Sequence, residues 1–275
     1  MEKNEHKCGI LITLYKYDLY DYELMSWKHL CDLYGKNDKY IFTFLSYYDF
    51  DFYKFINKYD IPNKDYMLYN KPYNYIQVDK SYFAGSNTYN ILCLDKFIYN
   101  TCKKFGYDYI FNYQFDGYVF NDELDYWINK GYSYIGGFGG EIPSELISKI
   151  YTYLNLDIND DILNKRFSHM NGGLCLKNID FCLDVLDKYS NDDTLYYIMH
   201  DSEGIAFGED TFFSLFNKSY VSAIDSLKFG YLNYRFNYYA PFNEYKYPFT
   251  CHGINRDKLL MNFVKQFNKE HNLNY

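Results

Sequence analysis

The chain lacks any stretch near the roughly 20 consecutive apolar residues that a membrane-spanning helix needs. Its start, Met1-Glu2-Lys3-Asn4-Glu5-His6-Lys7, has no apolar run of the kind a secretion signal carries. Both absences lead to the expectation of a soluble, cytoplasmic protein with no membrane span. A cysteine framework is missing as well. The seven cysteines are odd in number, scattered and never spaced C-x-x-C, which excludes a zinc ribbon and a disulfide scaffold and leaves buried free thiols. Nor is there an excess of positive charge. Against 36 Asp and Glu stand 28 Lys and Arg, a net charge of −8, so counter-ion release has no basic field behind it and no nucleic-acid partner is expected. No G-x-x-x-x-G-K-[ST] loop and no G-x-S-x-G elbow occurs, and the glycines at Gly136 are not followed by a Rossmann pattern. His200-Asp201-Ser202 are neighbours in sequence, which is not the geometry of a catalytic triad.

What is abundant is apolar and aromatic material, 48 % and 23 % of the residues, enough for a sizeable core and against intrinsic disorder. Cys8 to Leu14 reads as a buried strand and Tyr22 to Tyr34 as a helix with Leu24, Trp27, Leu30, Cys31 and Tyr34 on one face. A second strand is expected at Tyr40 to Leu45, which completes a βαβ unit with a right-handed crossover. A single helix from Ser86-Asn87 to Phe105 is expected next, ended by Gly106, then a strand over Tyr107 to Phe111. Asn121 is expected to cap a short helix carrying Leu124, Trp127 and Ile128, followed by a strand over Tyr132 to Ile135. Gly136 to Gly140 is expected as a flexible loop and Asn155 to Asn164 as a surface excursion. The polar run from Asn112 to Gly117 emerges at the C-terminal end of a strand, where ligands bind in open α/β sheets.

Four short segments deliver polar groups at such ends: Gln114-Phe115-Asp116, Asn171-Gly172-Gly173-Leu174, Gly208-Glu209-Asp210 and Cys251-His252-Gly253. From the residues alone, Asp116-Gly117 reads either as a ligand-bearing end or as a plain turn. Asn171-Gly172-Gly173 reads as a close approach of backbone to ligand or as a hairpin turn. Glu209-Asp210 reads as catalytic carboxylates or as the acidic first turn of a helix over Thr211 to Phe216.

In their order these segments resemble the D-x-D motif, glycine loop, x-E-D motif and C-terminal histidine of glycosyltransferases of the GT-A fold. The likeness is closer still to a family assigned to glycosyltransferases and known mainly as a domain of unknown function in bacteria and large viruses. It rests on Tyr109 to Asp116, Glu123 to Trp127, Tyr134-Ile135-Gly136, Asn171 to Leu174, Glu209 to Phe213 and Pro248 to His252. The resemblance implies an α/β fold with a GT-A-like, Rossmann-type mixed sheet flanked by helices, as expected of nucleotide-diphospho-sugar transferases. It implies one domain over 1–275, with a nucleotide-sugar half over about 1–120 and an acceptor and catalytic half over about 121–275.

Carried onto these residues, the resemblance makes Asp116 and His252 ligands of a divalent metal, Mn²⁺ or Mg²⁺. A cation of that kind lets an acidic protein hold the diphosphate of a UDP-sugar donor. Gln114 stands where the family has an acidic residue, which weakens the anionic site while keeping a hydrogen-bonding amide. Gly172 and Gly173 would lie against the donor sugar. Asp210 becomes the candidate base that takes a proton from a glycan or other hydroxyl acceptor, with Glu209 orienting hydroxyl groups. Thr13 and Tyr15, at the end of the first strand, and Asn90 of the Tyr89-Asn90 pair would contact nucleobase and ribose. Gly136 to Gly140 and the aromatic stretch from Phe229 to Tyr247 read either as an acceptor side, since sugars stack their C–H faces on aromatic rings, or as core packing. The rival reading is a catalytically silent nucleotide-sugar- or carbohydrate-binding protein on the same fold, which Gln114 favours and Asp116, Asp210 and His252 oppose.

Overall fold

A computed structural model of the chain describes residues 6–59, 73–156, 168–189, 208–217, 219, 221–232 and 247–275. The apolar run at the start forms β1 (Cys8–Thr13), every residue of which is buried. A strand covered on both faces has nowhere to sit but the middle of a sheet. Accordingly β1 pairs in parallel with β2 (Tyr40–Tyr47) on one side and β4 (Tyr109–Tyr113) on the other, with Cys8 opposite both Tyr40 and Tyr109. β3 (Asn74–Val78) extends the parallel part beyond β2. Helices α1 (Asp21–Tyr34), α2 (Phe52–Tyr59), α3 (Ser86–Cys93) and α4 (Lys96–Lys104) occur between these strands. Trp27, Leu30, Cys31 and Tyr34 form the buried stripe of α1.

The second half adds β5 (Gly117–Val119), α5 (Leu124–Asn129), β6 (Tyr134–Glu141), α6 (Ser144–Tyr153), β7 (Ser168–Asn178) and α7 (Ile179–Tyr189). It continues with α8 (Glu209–Leu215), α9 (Ala223–Phe229), β8 (Gly230–Leu232), β9 (Thr250–His252) and α10 (Lys258–Glu270). The main sheet runs β3-β2-β1-β4-β7-β6, and β7 is antiparallel to both neighbours. A three-stranded sheet, β5-β9-β8, lies beside it, backed by Leu260, Val264 and Phe267 of α10 against Tyr118, Phe120 and Cys251. Strand order reverses at β1, between β2 and β4, so the crevice over the C-terminal ends of β1 and β4 is where this topology offers a ligand site. All seven cysteines are buried free thiols, as expected. Among the described residues no helix is long and apolar enough to cross a membrane.

Three expectations need correcting. The helix from Ser86 to Phe105 is two helices, because the Asp95 carboxylate accepts the Phe97 N–H at 2.8 Å and starts a new one. The cap position of α5 is Glu123, and Asn121 instead accepts the Glu123 N–H through its carbonyl. Gly136 to Gly140 is no loop but most of β6. Its glycines mark close backbone approach: a Cβ on Gly136 would lie 2.3 Å from the Asn171 carbonyl, and one on Gly137 would lie 3.0 Å from that of Gly230. Most of Asn155 to Asn164 and most of Phe229 to Tyr247 lie outside the described residues.

Candidate active site

Gln114, Phe115 and Asp116 form the link from β4 to β5, closed by the Gly117 N–H on the Gln114 carbonyl at 2.9 Å, so the turn reading of Asp116-Gly117 is correct as far as the backbone goes. The main chain of Asp116 is tied down by two amides from beyond β9. Gly253 N–H and Ile254 N–H both donate to its carbonyl, at 2.9 and 3.0 Å, and Gly253 takes φ +78° to turn the chain there. Register then brings His252, opposite Gly117, to the same spot. His252 Nε2 lies 3.0 Å from Asp116 Oδ1 and 3.1 Å from Gln114 Oε1. Arg256 reaches in from the outside, its Nη2 3.9 Å from Asp116 Oδ2. Burial works to raise the Asp116 carboxyl, but His252 and Arg256 outweigh it and hold the group below the usual carboxylate range.

The Asn171-Gly172-Gly173 segment is neither loop nor hairpin. It is a wide bulge inside β7: five residue steps, Met170 to Cys175, face the two from Phe138 to Gly136 on β6. The buried Asn112 amide and the Cys175 thiol both donate to the Gly172 carbonyl, at 2.6 and 3.2 Å, and the Gly173 N–H bonds the Asn171 side chain at 2.9 Å. Its two glycines face the two halves of the site. A Cβ on Gly173 would lie 2.2 Å from His252 Nε2, and one on Gly172 would lie 2.2 Å from Glu209 Oε1 and 3.3 Å from Asp210 Cβ. The metal-type pair and the carboxylate pair therefore sit one residue apart along β7, about 3.8 Å of backbone.

Glu209 and Asp210 open α8, as the acidic-first-turn reading has it, yet both are held by side chains of β7. Lys177 Nζ is 3.7 Å from Glu209 Oε1, with both side chains buried, and sits 5.0 Å from the centre of the Phe213 ring. His169 Nε2 is 3.3 Å from Asp210 Oδ2. The Thr211 N–H donates to Asp210 Oδ1 at 2.7 Å. Burial and the neighbouring Asp210 charge push the Glu209 carboxyl up, against Lys177. For Asp210 burial also works upward, but His169 and the Thr211 amide win and the group stays low.

The donor-side expectations divide. Thr13 is buried and its hydroxyl meets that of Tyr89 at 2.9 Å, which ties α3 to β1. Tyr15 is half exposed, roughly parallel to Phe83 at 6.5 Å, with Lys16 Nζ 5.8 Å from its ring centre. Asn90 points toward the carboxylates, its Nδ2 3.5 Å from where a Cβ of Gly208 would stand. Sequence reasoning missed His169, Lys177 and Arg256. Lys177 did carry a signal: a lysine ending the apolar run Leu174-Cys175-Leu176 of a buried strand needs a partner anion. His169 and Arg256 carried none.

Among the described residues no three His, Cys, Asp or Glu side chains cluster as a metal site. An amide oxygen, a carboxylate and an imidazole nitrogen do converge, however, with the bulge glycine packed so closely on the imidazole that no side chain fits between. That donor set suits a divalent cation that takes oxygen and nitrogen ligands and fills its remaining positions from phosphate and water.

The mixed sheet flanked by helices matches solved glycosyltransferases of the GT-A fold. Galactosyltransferase LgtC, solved with donor and acceptor sugar analogues, is 14 % identical over 95 % of each chain, with a TM-score of 0.52. The mannosyltransferase Ktr4p of S. cerevisiae, solved with GDP, is 15 % identical over 81 % of this chain and 68 % of its own, at 0.51. Core-mannan synthase A of Aspergillus fumigatus in an Mn/GDP form is 12 % identical over 78 % and 70 %, also at 0.51. By sequence, the chain belongs to the family described as protein of unknown function DUF5672, whose profile matches residues 72–252. No curated protein sequence matches it.

Proposed function

We propose that the chain is a glycosyltransferase that moves a sugar from a nucleoside diphosphate donor to a hydroxyl of a glycan or other acceptor. The observation that supports this most is the convergence of Gln114, Asp116 and His252 on one side of the β7 bulge and of Glu209 and Asp210 on the other, at the switch point of the sheet. Asp116 and His252 would hold a divalent cation with help from the Gln114 amide. Such a cation, when bound, neutralises the charge that develops on the departing diphosphate. Arg256, largely exposed beside Asp116, adds positive charge on the same side. For an inverting transfer Asp210 accepts the acceptor hydroxyl proton as that oxygen bonds to the anomeric carbon and the diphosphate leaves with the electron pair of the broken C–O bond. Glu209 then orients hydroxyl groups. Tyr15 offers an exposed aromatic face to the base.

UDP is the first nucleotide to test, and GDP the second, since a neighbour of this fold was solved with GDP. Thermal unfolding against nucleoside diphosphates and sugar nucleotides, with Mn²⁺, Mg²⁺ or EDTA, tests the reading. A ligand at about 100 times its Kd stabilises by about 2.7 kcal/mol. A metal-dependent shift with one nucleotide supports it, and no shift with any refutes it. The silent-binder reading rests on Gln114, and binding without turnover across an acceptor panel would favour it.

A further inference from the structure

The carboxylate pair of α8 is gripped by one strand. Lys177 and His169, both on β7, stand on either side of the bulge and meet Glu209 and Asp210 in turn. Lys177 faces the interior among Tyr134, Phe213 and Tyr99, so it answers the buried Glu209. His169 is different. It is partly exposed, it lies where β7 pairs with Gly140 of β6, and its Nε2 faces the Asp210 carboxylate, 3.3 Å from Oδ2. The other Asp210 oxygen is fixed by the Thr211 amide. The groups that face Asp210 are therefore His169, Lys177 and Cys175 from β7, Tyr134 from β6 and Glu209 on its own helix. His169 is the one ion-pair partner of the Asp210 carboxylate among the described residues, across from the hydrogen bonds that Thr211 donates from within α8.

We propose that His169 is a positioning residue: the imidazole fixes the orientation of the Asp210 carboxylate and keeps it anionic beside the buried Glu209, so that Asp210 is ready to accept a proton. The role rests on the assignment of Asp210 as base. It matches the general logic in which a proton acceptor is itself oriented by a third group. A neighbour that only filled space would leave the protonation of Asp210 unchanged when replaced.

The test reads Asp210 directly and needs no substrate. In full-length protein labelled with ¹³C at aspartate carboxyl carbons, the Asp210 resonance is assigned by its loss in Asp210→Asn and followed through an acid titration. Wild type is compared with His169→Leu, which removes donor and charge, and with His169→Gln, which keeps a donor. The expected result is a titration midpoint moved to higher pH in His169→Leu, with a smaller move in His169→Gln. Coincident midpoints in all three proteins overturn the proposal, and if His169→Leu does not fold, the glutamine variant decides alone. With a donor and acceptor in hand, His169→Leu lowers kcat by about tenfold or more, shifts the acid limb of the pH profile upward and leaves donor KM within about twofold. Absence of any nucleotide binding or turnover in wild type defeats the glycosyltransferase reading and leaves the carboxyl titration to stand or fall by itself.

Discussion

Replacing Gly173 by alanine isolates the geometry of the metal-type pair. The new Cβ would fall 2.2 Å from His252 Nε2, 2.5 Å from Cε1 and 2.6 Å from Cδ2, against the edge of the ring rather than a single atom. Unstrained carbon contacts are about 3.5–4.0 Å, so the imidazole must retreat by roughly an ångström. It has no slack to do so while keeping Nε2 at 3.0 Å from Asp116 and 3.1 Å from Gln114. Overpacking of this kind costs about 1–3 kcal/mol. At roughly 2–4 °C per kcal/mol for a chain somewhat smaller than this, Tm should fall by several degrees. The effect on ligand binding should be larger than the effect on fold, because metal ligands tolerate displacements of only about 0.2 Å. Losing most of one ligand, about 2–3 kcal/mol, raises the Kd for a metal-nucleotide complex by roughly 30- to 150-fold. Differential scanning fluorimetry gives the first number, and calorimetric titration of UDP in Mn²⁺ and in EDTA gives the second. Gly85→Ala is the control, since nothing lies within 4 Å of a Cβ there. A Gly173→Ala protein with wild-type Tm and wild-type affinity would show that His252 is not held as described.

Lys177→Met should destabilise by about 3–5 kcal/mol, because it leaves Glu209 buried without its cation; a urea midpoint equal to wild type would refute the pairing. Asp116→Ala should weaken metal-dependent nucleotide binding at least tenfold while binding in EDTA changes little, which calorimetry can compare. Asp210→Asn should abolish transfer and spare donor binding, and measurable turnover at the wild-type rate would remove Asp210 from the chemistry. His29, stacked at 4.8 Å on Tyr118, has its pKa lowered from 6.5 to about 4 by burial, so its contribution is complete above pH 6.5 and is lost as pH falls toward 4. On the order of 3 kcal/mol is at stake, and His29→Phe should flatten stability against pH across that window, as chemical denaturation at each pH would register.

The parallel half of the fold was legible because its strands are buried on both faces and its helices carry one apolar stripe, so Cys8 to Leu14, Tyr22 to Tyr34 and Tyr40 to Leu45 each announce one element. The antiparallel half was harder for a physical reason. β6 and the β7 bulge are built from glycines that serve to let backbones touch, and composition alone cannot separate that use of glycine from a flexible loop. Asp95 split a helix whose apolar spacing runs straight through it, a local hydrogen bond overriding periodicity. At the site, residues at strand ends were legible, while His169 and Arg256 depend on which chain segments meet across long separations, and no motif announces that.

The charges of the site bear on why a chain of net charge −8 could hold a diphosphate at all. Glu209 faces Lys177, Asp210 faces His169, and Asp116 faces His252 and Arg256, so each buried carboxylate is already met by a cationic or neutral donor. Two phosphates brought to Asp116 would add negative charge to a cluster that is balanced without them. Arg256, with its side chain 64 % exposed and 3.9 Å from Asp116, can turn toward a ligand, but one guanidinium does not offset a diphosphate. The deficit is what a divalent cation between Asp116, His252 and the phosphates would fill. It follows that Arg256→Ala should lower nucleotide affinity without abolishing metal dependence, whereas removal of the cation should abolish tight binding even with Arg256 in place. Calorimetry of both proteins, each with Mn²⁺ and with EDTA, separates these contributions. Equal affinity of the wild type in Mn²⁺ and EDTA would mean that the protein's own cations suffice, and the charge argument for a metal would fail.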